Sequence, residues 1–252
     1  MAQSPNPPSI PAGWRLGPPD YVGVGTARSG TTWWDSLINR HPRISRLAST
    51  PKEAHFFDTC WEHGLGDGDV DRYHALFARP EGHLSGEWTP GYMVDAWTPA
   101  LLKAAAPDAR LLVMLRDPVE RFRSGRTLAE NRFTVGSTAR AAANAAFNRG
   151  IYADQLLRVW NHFPRDQVLV LQYERCVADP REQLARTFEF IGLEPEREEG
   201  VDVSSRVNES RGPKVSLSAW QEDQLIRRYA AENARLSELL PELDLALWKS
   251  PA

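Results

Sequence analysis

Two kinds of apolar run alternate along the chain. Arg110–Leu115 (RLLVML) and Gln167–Leu171 (QVLVL) are short and almost wholly apolar, the pattern of parallel strands buried on both faces. Tyr21–Gly25 reads as a further short strand that ends in glycine. Elsewhere the apolar positions return at a spacing near 3.6. Trp33, Trp34, Leu37 and Ile38 do so within Thr31–Arg40, and Tyr152, Leu156, Val159, Trp160 and Phe163 share one face of Ile151–Phe163. Leu184, Phe188 and Ile191 mark another amphipathic helix, and Ser218–Leu240 a long final one. Asp117-Pro118, an N-cap and a first-turn proline, opens a helix directly after RLLVML. Strand and helix alternate with no internal repeat or low-complexity linker after residue 19. The pattern predicts a single α/β domain over residues 20–252, a parallel sheet with helices on both faces. Such sheets take ligands at the carboxyl ends of their strands.

Composition narrows the options. At 42% hydrophobic and 25% charged residues the chain matches a folded soluble protein and not a disordered or collagenous one. Thirty Lys+Arg against thirty-three Asp+Glu leave a net charge of −3, so the basic footprint of a general nucleic-acid binder is missing and any anion is held locally. No run reaches the ~18–20 apolar residues of a membrane span. Residues 1–19 are rich in proline, lack the pattern of a secretory signal and read as a disordered arm. Cys60 and Cys176 are too few for a disulfide framework, which points to the cytoplasm. His55, Cys60 and His63 lack a fourth ligand at a recognised spacing, and no metal is expected.

The candidate chemistry begins at YVGVGTARSGTTWW (Tyr21–Trp34), a strand, a turn of small residues and a helix. Unpaired amides and the positive end of a helix dipole converge in such a turn and hold an anion, here with Arg28, Ser29, Thr31 and Thr32 as added donors. Gly25-Thr-Ala-Arg-Ser-Gly30 fits the frame of a P-loop, yet Thr31 stands where a nucleoside triphosphatase needs its lysine. A dinucleotide fingerprint fails as well, because Arg28 follows Gly23-x-Gly25 where Gly or Ala is required. On this P-loop-like sheet an oxyanion site is favoured over a strand-to-helix turn that merely tolerates glycine.

Together with this loop, PKEAHFFD (Pro51–Asp58), GEWTPGY (Gly86–Tyr92), LRDPVERFRS (Leu115–Ser124) and the stretch from Gly150 to Pro180 resemble, in order and spacing, the sulfotransferases that use 3′-phosphoadenosine 5′-phosphosulfate (PAPS). The motifs are most similar to the heparan-sulfate glucosaminyl 3-O-sulfotransferase branch. The resemblance implies that Arg28, Ser29, Gly30, Thr31 and Thr32 cradle the 5′-phosphosulfate, and that Arg116 and Ser124 meet the 3′-phosphate. It implies Glu53 as the base that takes the acceptor's hydroxyl proton, with His55 orienting the acceptor or the carboxylate or sharing its charge. Adenosine 3′,5′-bisphosphate would be the product, and a small or saccharide hydroxyl compound the acceptor. Arg121, Arg123 and Arg126 read as a solvated helix face, the alternative being that one of them touches the cofactor.

The chain departs from that branch at three places. Arg28 stands where the family usually has lysine, a planar fork in place of a compact ammonium. Trp88 stands where heparan-type enzymes carry lysine; its ring either stacks on the acceptor or packs in the core. Asn208–Lys214 is a loose counterpart of the family's basic closing loop, so Arg211 and Lys214 are cofactor candidates within a segment, Glu196–Lys214, that could order as a lid. The rival readings are a small-molecule kinase and a nucleotide-binding module without catalysis.

Overall fold

Burial on both faces makes the central strands continuous apolar runs, and the computed structural model places them where the pattern predicts. It describes residues 10–47, 50–130, 137–195 and 215–249. In chain order the elements are β1 (Tyr21–Gly25), α1 (Thr31–Ile38), α2 (Asp69–Ala75), β2 (Gly86–Trp88), α3 (Thr98–Ala105), β3 (Arg110–Leu115), α4 (Pro118–Glu130), α5 (Ser137–Asn148), α6 (Tyr152–Trp160), β4 (Val168–Gln172), α7 (Tyr173–Ala178), α8 (Pro180–Ile191) and α9 (Ala219–Leu239). Short 3₁₀ turns cover Phe56–Thr59, Arg165–Gln167 and Leu245–Leu247.

Among the described residues the sheet has four parallel strands in the order β2-β1-β3-β4. Tyr21 faces Gly86 on one side and Arg110 on the other, and Leu111 to Leu115 pair with Val168 to Gln172. Side chains alternate across it. Val22, Val24, Leu111, Val113, Leu115, Val168 and Val170 pack with residues of α2, α3, α6 and α9. Tyr21, Trp88, Leu112, Met114, Leu169 and Leu171 pack against α1, α7 and α8. A smaller cluster, Val119, Phe122, Ala146, Leu225 and Tyr229, joins α4, α5 and α9.

Caps place several of the helices. Asp117 Oδ1 accepts from the amides of Val119 and Glu120 and starts α4 beside the end of β3. Ser218 and Gln221 form a reciprocal capping box at the start of α9. The fourth strand begins at Val168 and not at Gln167, because Gln167 closes a 3₁₀ turn and sends its amide side chain to the Pro107 and Ala109 carbonyls. The described part of the N-terminal arm is tied to the body: Arg15 makes an isolated antiparallel bridge with Arg79.

Because all four strands run the same way, their carboxyl ends share one edge of the sheet. Gly25, Trp88, Leu115 and Gln172 therefore deliver the turn before α1, Thr89, Arg116 and Tyr173 to a common region.

Candidate active site

The turn between β1 and α1 is built by two left-handed residues. Arg28 has φ 72° and Gly30 φ 87°, and a Cβ on Gly30 would lie 2.7 Å from the Tyr173 ring, so glycine is required there. Thr26 pins the turn to β3, its hydroxyl donating to the Met114 carbonyl at 2.8 Å while sharing a 2.6 Å bond with Ser29. The Ser29 hydroxyl is thus fully buried and engaged with Thr26, which removes it from the anion donors expected of the turn. Gly30 caps α1 without a side-chain bond, so the first amides of the helix, at Thr31 and Thr32, carry no side-chain cap.

Arg28, expected at the 5′-phosphosulfate, and Arg116 and Ser124, expected at the 3′-phosphate, are joined in one network. Arg28 Nε donates to Ser124 Oγ at 3.1 Å, and Arg116 Nη1 donates to the Arg28 carbonyl at 3.2 Å. Arg116 also lies 4.7 Å from the centre of the Tyr173 ring and 4.0 Å from Glu120. Two arginines linked to the turn that leads into a helix start with no side-chain cap can hold an anionic ligand.

On the other side of β1, Glu53 and His55 face one another. His55 Nε2 is 3.2 Å from Glu53 Oε2, and its Nδ1 is 2.9 Å from Asp58 Oδ2. A ring between two carboxylates donates to one when neutral and to both as imidazolium. His55 itself has φ 49°, a second left-handed residue other than glycine at this site. The carboxylate of Glu53 is 39% exposed, open to an incoming hydroxyl.

Three residues that sequence reading did not single out complete this side. Lys52 Nζ bonds Glu53 Oε1 at 2.9 Å and Thr31 Oγ1 at 3.4 Å. Asp58 backs His55. Glu87, wholly buried, accepts from the Ala54 amide and the Tyr73 hydroxyl, both at 3.0 Å, and from the Thr89 hydroxyl. Burial raises its pKa above the ordinary carboxylate value, against the lowering by the Thr89, Ala54 and Tyr73 bonds. The Lys-Glu pair was visible in PKEAHFFD, but its meeting with Thr31 is a tertiary contact that no local spacing signals.

One alternative is decided and one expectation is corrected. Trp88 is fully buried, donates its indole N–H to the Gly25 carbonyl at 3.0 Å and packs against Gly23, so of its two readings the core one holds and it cannot stack on an acceptor. Arg121 is not part of a solvated face: it is fully buried and donates to the Ala146 carbonyl of α5, while Arg123 pairs with Glu120 and Glu222. Arg211, Lys214 and the expected lid lie outside the described residues. Cys60 and Cys176 are buried and unbridged. Among the described residues no group of three or more His, Cys, Asp and Glu could hold a metal ion, and no helix is long and apolar enough to cross a membrane.

Comparison with known proteins addresses the family and the fold. A family profile described as "Sulfotransferase family" matches residues 87–197. Heparan sulfate glucosamine 3-O-sulfotransferase 6 of Homo sapiens is 32% identical over 187 residues, covering 69% of this chain and 52% of that protein. The human 3-O-sulfotransferase 3B1 is 30% identical over 190 residues, 69% of this chain and 46% of that protein. The crystal structure of a sulfotransferase from Alicyclobacillus acidocaldarius superposes with a TM-score of 0.74 at 26% identity, covering 93% of this chain and all of that one. A parallel four-stranded sheet flanked by helices, superposing on that bacterial sulfotransferase, defines the class of fold. The chain belongs to the sulfotransferase family. It spans about half the length of the curated relatives it matches.

Proposed function

We propose that this chain is an enzyme that moves a sulfuryl group from PAPS to a hydroxyl of a saccharide acceptor. One observation carries the reading: a partly exposed carboxylate, Glu53, is held beside the uncapped start of α1 through a single intervening side chain. A base on one side and an anion cradle on the other are the two halves that in-line transfer needs. Sugar acceptors are favoured because the curated relatives are named for transfer to glucosamine in heparan sulfate.

In this reading Arg28, Arg116 and the first amides of α1 hold the donor nucleotide, which supplies an activated sulfuryl group when bound. Glu53 orients the acceptor hydroxyl and takes its proton. His55, backed by Asp58, holds the Glu53 carboxylate and spreads the charge around it. Glu87 fixes the backbone of the segment that carries them.

The test is a panel of acceptors with ³⁵S-labelled PAPS: a glucosamine-containing tetrasaccharide, a neutral disaccharide, a phenol and a primary alcohol, with products identified by mass spectrometry. Sulfated saccharide is the expected product. Exclusive labelling of the phenol or the alcohol overturns the saccharide assignment, and phosphoryl transfer from ATP with no use of PAPS overturns the sulfotransferase reading.

A further inference from the structure

We propose that Lys52 is a catalytic cation whose ammonium contacts the oxygens of the sulfuryl group during transfer, an inference that rests on the sulfotransferase reading above. Its Nζ lies 2.9 Å from Glu53 on the acceptor side and 3.4 Å from Thr31, the first residue of α1, on the anion side. It occupies the gap across which the transferred group must pass. Among the described residues two of its three N–H donors are taken by these bonds, which leaves a third for a ligand oxygen. Arg28 and Arg116 direct their fork-shaped groups to Ser124 and to the Arg28 carbonyl. A compact ammonium is the better match for charge spread over a small tetrahedral group.

Lys52 is also held as a site residue is, not as a surface lysine. Its side chain is 18% exposed, and its carbonyl accepts from the Trp88 amide at 2.8 Å. Two residues on, the Ala54 amide is tied to the buried carboxylate of Glu87. The buried indole of Trp88 means that the neighbouring β2 turn brings no charge to this gap at that position. In the step that Lys52 serves, the acceptor oxygen bonds to sulfur as the bond from sulfur to the 5′-phosphate oxygen breaks. The electron pair of that bond leaves with adenosine 3′,5′-bisphosphate, the hydroxyl proton passes to Glu53, and Lys52 keeps its own protons.

Lys52→Met, which keeps the length of the stem, and Lys52→Arg, which keeps the charge, test this. Titration calorimetry compares PAPS with adenosine 3′,5′-bisphosphate, which lacks the sulfuryl group. Lys52→Met should weaken PAPS by about 10–100-fold, the loss of one charge-assisted bond, and leave the bisphosphate within about twofold. Single-turnover transfer to the panel acceptor that wild type sulfates should fall about 10²–10³-fold, with partial recovery in Lys52→Arg. The rate loss should persist when Lys52→Met is combined with Glu53→Gln. Equal weakening of both nucleotides, unchanged PAPS affinity, or a rate loss that vanishes in the Glu53→Gln background overturns the proposal, the last because Lys52 would then act only through Glu53. A wild-type protein that binds both nucleotides but transfers nothing sinks the sulfotransferase reading instead, and the affinity ratio still judges Lys52. Circular dichroism melting of each variant separates these outcomes from misfolding.

Discussion

Arg28 Nε donates to the Ser124 hydroxyl at 3.1 Å, joining the turn after β1 to the second turn of α4 across 96 residues of sequence. Arg116 closes the same arrangement through the Arg28 carbonyl, so the two ends of the proposed nucleotide site share one network. Arg116→Ala should weaken adenosine 3′,5′-bisphosphate by about 2–5 kcal/mol, as expected when one partner of a desolvated charge pair is lost. Ser124→Ala, which removes one hydrogen-bond partner of Arg28 without removing a charge, should cost about 1 kcal/mol. Calorimetric titration of the folded variants decides it, and wild-type affinity in Arg116→Ala would mean that the 3′-phosphate lies elsewhere.

Glu53→Gln keeps shape and removes the proton acceptor. Turnover with PAPS and an accepted saccharide should drop by about 10²–10⁴-fold, the usual contribution of a positioned base. Affinity for adenosine 3′,5′-bisphosphate should hold, because Glu53 stands on the acceptor side. Single-turnover kinetics is the proper measurement, since slow product release would mask the loss. A variant with the wild-type chemical rate would remove Glu53 from the base role.

Glu87 predicts a pH-dependent stability. Its pKa is raised from 4.5 by burial, so the folded protein binds a proton at a pH where the unfolded chain has released it. That contribution is complete below the unfolded value and is lost as pH rises through the raised folded one. Glu87→Gln cannot titrate, and its amide end cannot accept from Ala54, Tyr73 and Thr89 together, an unsatisfied bond costing about 1–3 kcal/mol. The melting gap between wild type and variant should therefore widen on acidification. A gap that stays constant across pH contradicts the buried, proton-binding role.

Gly23 and Trp88 test the packing beneath the site. A Cβ at Gly23 would fall 2.1 Å from the indole ring, so Gly23→Ala should destabilise by about 1–3 kcal/mol or more through overpacking. Trp88→Lys, which would place an ammonium at a fully buried position, should cost more still. Denaturant unfolding reads both, and a Trp88→Lys protein as stable as wild type would show that the side chain has a route to solvent.

Much of this architecture was legible because parallel strands buried on both faces leave unbroken apolar runs. Tyr21–Gly25 and Arg110–Leu115 coincide with β1 and β3 for that reason. Strand β2 was not read as a strand, since Gly86–Trp88 is three residues long and includes the charged Glu87. Helices α2, α3 and α7 are short and, unlike the equally short α1 with its paired tryptophans, carry too few large apolar residues at helical spacing to stand out. Arg121 was misjudged because a charged residue beside Arg123 and Arg126 looks solvated until a neighbouring helix covers it. The pairing of Arg116 with Ser124 came from family resemblance, whereas Lys52 and Glu87 acquire their roles only when β2 lies against β1.

The sheet order carries an evolutionary consequence. The segment Lys52–Asp58 hangs from the edge strand β2 and the turn that follows it, through the Trp88 amide, Glu87 and the Thr89 and Tyr92 hydroxyls. The proposed nucleotide-side residues lie in the turn after β1, just past β3 and on α4. Variation along one edge can therefore retune which hydroxyl is admitted without disturbing how the donor is gripped. A mutagenesis library seeking new acceptors belongs around residues 52–61 and 86–97, where inheritance of a working donor half lets each variant be judged on acceptor choice.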